Sequence, residues 1–248
     1  MSQAVNASPL RSVHEIIREA RVSQASNGIC YTTSGEIMLP SDDLARIIDA
    51  VPRSIAAALD RKAFYFVPLT IGDGEKTLVA ERFDGPPLDG AICHRNIESG
   101  NAQCVFISTR LLEERFAIAF EFYINVGHAF VDKAGISPEF AELAWSQVVK
   151  NVRGETSFDA HEFRKQVQPF GAGRVDEKVK SDYLAAAFSD SIAIYLLSLC
   201  LDVDYYELRE REYPLLAPSA LAERLKKISE LFPPNPGFPF DIRYRRKS

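Results

Sequence analysis

The sequence predicts an α+β protein, with a small antiparallel or mixed sheet in the N-terminal half packed on a mainly helical C-terminal half. Three observations carry the prediction. Segments rich in branched and aromatic residues, at 63–71, 76–83 and 103–107, all fall before residue 109. Beyond that point the apolar residues recur at helical spacing, and two of the helices are long. Neither an internal repeat nor a low-complexity linker interrupts the chain, so a single domain is expected over 1–248. It comprises a helical N-terminal part (1–62), a strand-rich part (63–108), a helical core (109–232) and an extended tail (233–248).

Residues 10–22 place Val13, Ile16, Ile17 and Ala20 on one side of a short amphipathic helix. Residues 29–33 follow as a strand. Ser41 caps the next helix, with Asp42 and Asp43 in its first turn, where negative charge meets the positive helix end. Pro52 kinks that helix or starts another over 53–59. Residues 63–71 and 76–83 pair as a hairpin around Gly72-Asp73-Gly74, ended by Gly85-Pro86-Pro87. A short strand at 91–94, a turn at 98–101 and a strand at 103–107 lead into a long helix. Ser137-Pro138-Glu139 combines a capping serine, proline at the first helical position and an acid, so it starts a helix that reaches Val152 and stops at Gly154. A weaker helix at 158–167 ends at Pro169 and Gly171-Ala172-Gly173. The helix over 182–201 is apolar nearly all round, which places it in the core. A last helix covers 221–231, and the proline-rich 233–240 crosses the surface, anchored by Phe238 and Phe240.

Composition narrows the class. The chain is 46% hydrophobic and 25% charged, enough to bury its own core. A net charge of -5 argues against a broad nucleic-acid face, and Arg243, Arg245, Arg246 and Lys247 form a solvated end. The cysteines, Cys30, Cys93, Cys104 and Cys200, show no CxxC spacing, which excludes a zinc ribbon or thioredoxin-like motif. Cys104 and Cys200 sit in apolar runs as buried thiols. The first residues lack the apolar core of a secretion signal, and no apolar run reaches a membrane span. The expectation is a reduced, cytoplasmic protein that engages neither nucleic acid nor membrane.

The most informative stretch is the helix after residue 109. Glu121, Asn125, His128 and Asp132 follow at steps that keep them on one face. They belong to Ile124-Asn125-Val126-Gly127-His128-Ala129-Phe130-Val131-Asp132, which follows a strand ending in Ile107-Ser108 and the pair Leu111-Leu112. Downstream lies Ser181-Asp182-Tyr183-Leu184-Ala185-Ala186-Ala187. Over 104–201 this layout resembles the HExxH zinc peptidases of the gluzincin branch, with their HExGHAxxD pattern. In such peptidases two histidines one turn apart hold zinc, the glutamate activates the bound water, and an acid on a later helix is the third ligand.

The resemblance implies a zincin-like fold with a vestigial site at Ile124, Asn125, His128, Glu177 and Asp182. Ile124 stands where the first histidine belongs and cannot bind metal. Asn125 stands where the base belongs, and an amide takes up no proton near neutral pH. Lys178 occupies one position open to the third ligand, and Glu177 is offset from it by one. The resemblance therefore implies a protein without a cofactor that binds another protein or a peptide. The alternative is a metal-dependent peptidase or hydrolase, holding zinc through His128 with Glu121 and Asp182, aided by Asp132 or by His94 or His161 brought in by the fold. A plain amphipathic helix accounts for the same spacing, with Leu112, Phe116, Ala119, Tyr123, Val126 and Phe130 inward and the polar stripe outward.

Asp182 and Asp190 stand out on their apolar helix. Either they face His128, or Asp182 caps the helix and Asp190 pairs with an arginine. His161-Glu162 has Lys165 where a second histidine would be needed, which leaves a solvated helix face. Cys93 and His94, adjacent in a strand, point to opposite faces and make no dyad. Ser189 and Ser191 lack a Gly-x-Ser-x-Gly elbow, and no phosphate-binding loop occurs. A third expectation is an assembly partner that docks through its proline-rich tail.

Overall fold

Ser12 ends the first strand and starts the first helix. Leu10–Ser12 is strand β1 and Val13–Glu19 is helix α1, in place of one helix over 10–22. The reason is a reciprocal cap: the Glu15 N–H donates to Ser12 Oγ at 3.2 Å, and the Glu15 carboxylate accepts from the Ser12 N–H at 2.8 Å. Next come β2 (Ser23–Gln24), β3 (Cys30–Thr33), α2 (Ser41–Asp49) and α3 (Arg53–Ala56), which continues as a 3-10 turn over Ala57–Leu59. The structure, a computed structural model, describes residues 10–71, 76–82, 92–109, 115–167, 175–201 and 212–242. The expected turns at Gly72-Asp73-Gly74 and Gly85-Pro86-Pro87, the pair Leu111-Leu112, the breakers at Pro169 and Gly171-Ala172-Gly173, and the basic end at 243–247 lie outside the described residues.

Pro68 divides what the sequence presents as one strand. Lys62–Val67 is β4 and Leu69–Ile71 is β5, and the two belong to different sheets. Proline has no N–H with which to continue a ladder, and its carbonyl instead accepts the Ala80 N–H at 3.0 Å. β5 pairs with β6 (Thr77–Ala80) as expected, and β1 joins β6 on its other side. The larger sheet adds β7 (His94–Ser99) and β8 (Ala102–Ser108) in the order β2-β3-β4-β8-β7. β3, β4 and β8 run parallel, and β2 and β7 pair antiparallel at the two ends. β7 lies beyond the expected strand at 91–94 and extends through Ser99, where a turn was expected. Its sequence, His-Arg-Asn-Ile-Glu-Ser, lacks apolar alternation, so its strand character comes from pairing with β8.

The remaining helices are α4 (Arg115–Ala134), α5 (Pro138–Val149), α6 (Phe158–Val167), α7 (Glu177–Cys200) and α8 (Pro218–Leu231). The described sheets thus lie in the N-terminal half and the C-terminal half is helical, as the sequence predicts. Contacts group the chain into two compact units: Met1–Asp49 with Leu59–Phe122, and Ala50–Ala58 with Tyr123–Ser248. α4 contributes its residues up to Phe122 to the first and those from Tyr123 to the second.

In the first unit, β4 and β8 are covered on both faces. Tyr65, Val67, Cys104 and Phe106 pack with Val13 and Ile16 of α1. Phe64 and Phe66 face the other way, with ring centroids 4.9 and 5.6 Å from that of Phe122. In the second unit α7 is the centre, packed by α5, α6 and α8. It starts at Glu177, earlier than expected, because the Asp176 carboxylate accepts from the Lys178 and Val179 N–H groups at 2.9 and 3.2 Å. By length and composition α7 could cross a membrane, but 72% of its most apolar window is buried within the protein, the position of a core helix. α8 starts at Pro218 rather than Leu221, again with proline at the helix start. The tail is held by its own unit. The Asn235 amide donates to Val51 O at 2.8 Å, and the Phe240 ring lies 5.1 Å from Tyr195.

Candidate functional site

Gly127 is where α4 meets α7. A Cβ at this position would stand 2.5 Å from Ser189 O, closer than any side chain permits. On either side of it, Tyr123 Oη lies 3.0 Å from Cys200 Sγ, and the Phe130 and Phe188 rings are 6.3 Å apart. Tyr123, Val126 and Phe130 are buried, as the helical period predicts, and so is Ala119. Phe116 departs from that pattern: it is 41% exposed and stacks on exposed Phe120 at 5.9 Å.

The polar stripe divides. Glu121, mostly buried, accepts from His94 Nδ1 at 2.5 Å. That bond raises the His94 pKa, burial opposes it, and the Glu121 charge adds to the rise. Asn125 is buried, while His128 and Asp132 are exposed. Glu121 and His128 are two turns apart, about 10 Å along the axis, and Glu121 is engaged by His94. The pKa of the exposed Cys93 thiol is pushed up, by partial burial first and then by the Glu121 charge.

Asp190 is the acid of α7 that senses His128. Its half-buried carboxylate accepts from the Thr156 hydroxyl at 2.9 Å. Burial pushes its pKa up to about 6; the Ser157 and Thr156 hydroxyls, then the His128 and Arg224 charges, pull the other way. Asp190 therefore bonds to a hydroxyl, not to an arginine as expected. Asp182 does not cap the helix, since Asp176 does; it lies on α7 two turns before Ser189. Glu177 is exposed and pairs with Lys180 at 3.6 Å. Asp182 and Glu177 lie seven and twelve residues before Ser189, the α7 residue that Gly127 meets.

The arginines converge on Glu155, which is fully buried. Its carboxylate accepts from Arg164 Nη1 at 3.0 Å, Arg224 Nη1 at 3.1 Å and Tyr183 Oη at 2.9 Å. Arg224 Nη2 donates to Tyr183 Oη at 3.0 Å and Nε to Gln147 Oε1 at 2.8 Å. Backbone geometry places the acid. Gly154 has φ +82°, and a Cβ there would stand 1.9 Å from Leu215 O. Next to it, the Glu155 N–H donates to Pro214 O at 3.0 Å and the Leu216 N–H donates to Glu155 O at 3.0 Å. Every partner is satisfied, so the cluster is structural. The sequence held no signal for it, because its members come from five separated segments.

His161, expected on a solvated face, lies 5.9 Å from the Tyr213 ring, and burial lowers its pKa. Among the described residues, no group of three or more His, Cys, Asp or Glu side chains converges to hold a metal ion. No protein-family model, curated protein or solved structure matches the chain.

Proposed function

We propose that this is a zincin-like protein which has lost the peptidase set and acts by binding another protein or a peptide. One observation carries the reading. α4 approaches the alanine-rich α7 through Gly127 and Ser189, while the positions that should hold metal and move protons carry half-buried Ile124 and buried Asn125. Neither side chain does that chemistry. Glu121, which could substitute, is bonded to His94. In the second unit exposed His128 and Asp132 offer the polar contacts that binding surfaces use. Metal analysis of protein purified without chelator tests the reading. Substoichiometric zinc is expected, and one zinc per chain that disappears in His128→Ala overturns it.

The second reading, a hydrolase with an atypical site, is favoured by Asp190. A carboxyl held near pKa 6 within reach of the His128 charge suits general acid–base work. Cleavage of a broad peptide library, with and without added divalent metals, that is lost in both His128→Ala and Asp190→Asn supports it. Absence of cleavage under all conditions rejects it.

A further inference from the structure

β7 ends the five-stranded sheet, and among the described residues it pairs with β8 alone. The ladder fixes which of its backbone groups face outward. The Ser108 N–H donates to Cys93 O at 2.8 Å, so these two form a hydrogen-bonded pair. By alternation, Arg95 with Phe106, Ile97 with Cys104 and Ser99 with Ala102 are hydrogen-bonded pairs too. The opposite side of β8 agrees, since the Gln103 N–H donates to Arg61 O and the Thr109 N–H to Val67 O. The N–H and C=O groups of His94, Asn96 and Glu98 therefore point away from β8, along an edge that contains no proline.

We propose that this edge is a two-fold interface between two copies of the chain, in which β7 pairs antiparallel with its counterpart about Asn96. This register alone engages all three outward residues of both strands. Asn96 faces Asn96 of the second copy, and His94 faces Glu98 of the second copy at both ends. His94, Asn96 and Glu98 share one face of the strand, so the opposed histidine and carboxylate are true cross-strand neighbours. The charges are complementary. Glu121 already holds His94 through Nδ1, the side chain is 43% exposed, and Nε2 has no partner among the described residues. In the imidazolium form, with the Nδ1 proton hydrogen-bonded to Glu121, the Nε2 proton is available to donate to the incoming carboxylate. On the other face Arg95 falls opposite Ile97, which avoids like charges. A slip of the register removes a pair and separates His94 from Glu98, so the sequence selects the centred arrangement. Two-fold symmetry makes each contact occur twice. The contact is a single strand pair, so its association depends on concentration rather than being obligate.

The inference rests on the sheet, whereas the lost-peptidase reading rests on α4 and α7, so either can fail alone. Sedimentation equilibrium of the full chain over a wide concentration range tests it, with circular dichroism to verify folding. A reversible monomer–dimer equilibrium is expected. Glu98→Lys, an exposed change that sets like charges against each other, should weaken it about tenfold or more. Asn96→Pro removes the central outward N–H and should abolish it; if that variant does not fold, Glu98→Lys decides. A monomer at every concentration overturns the proposal, as does a dimer that survives Glu98→Lys. A monomer whose edge instead captures an unrelated extended peptide overturns it as well.

Discussion

Asp190 is a carboxylate that the fold holds against its own ionisation. Its pKa stands at about 6, raised from 3.8, chiefly by burial. Below about pH 4 the folded and unfolded chains are both protonated there, and the group is neutral in its effect. As pH rises from about 4 to about 6 the unfolded chain releases its proton first, so stability falls, and the penalty is complete above that window. Asp190→Asn keeps an acceptor for the Thr156 hydroxyl and removes the charge. It should stabilise the protein by about 1–3 kcal/mol at pH 7, with the gain vanishing near pH 4. Thermal melts of the two proteins at both pH values measure this. The hydrolase reading proposed above assigns Asp190 acid–base work, so the same variant also enters the peptide-cleavage assay. Glu155 shows the opposite design: two arginines and a tyrosine satisfy it.

At the scale of elements, one bond ties an edge strand to a helix. His94 on β7 donates to Glu121 on α4, and the bond raises the histidine pKa. The sign follows from that direction. The stabilisation is full below the unfolded histidine value and is lost as pH rises through the folded one. A histidine titration followed by NMR should place His94 above the ordinary value, and Glu121→Gln should bring it down. An unshifted His94 in the unmodified protein would show that the bond does not persist in solution. The tail presents the other element-scale case. Tyr195 Oη donates to Phe232 O at 2.8 Å, Phe232 packs on Phe130 at 5.0 Å, and Asn235 holds the segment at Val51 and Arg53. Truncation after Leu231 should therefore destabilise the protein by on the order of 2 kcal/mol or more, seen as a lower melting temperature. A docking strap with no structural role would leave the melting temperature unchanged.

For the molecule as a whole, each unit has its own core, built on β4 and β8 in the first and on α7 in the second. Glu121 is used within the first, and His128 lies beside α7 in the second. If the peptidase set has been lost, no metal is needed for folding, and prolonged treatment with EDTA should leave the melting temperature unchanged. A drop of several degrees would reveal a structural metal.

Much of this was legible in the residues themselves. Ser137-Pro138 starts α5, Phe158–Val167 is helical, β8 precedes α4, and the apolar α7 is the core of its unit, because caps and periodicity act within a few residues of each other. Local chemistry did not determine β7, whose polar residues become a strand only when β8 supplies a partner. It did not determine the break at Pro68, where the two halves of one apolar run join different sheets. Nor did it select Asp190 over Asp182 and Glu177 as the acid that senses His128. That choice was made where Gly127 lets two helices touch, since the crossing point, not the spacing along either helix, decides which side chains meet.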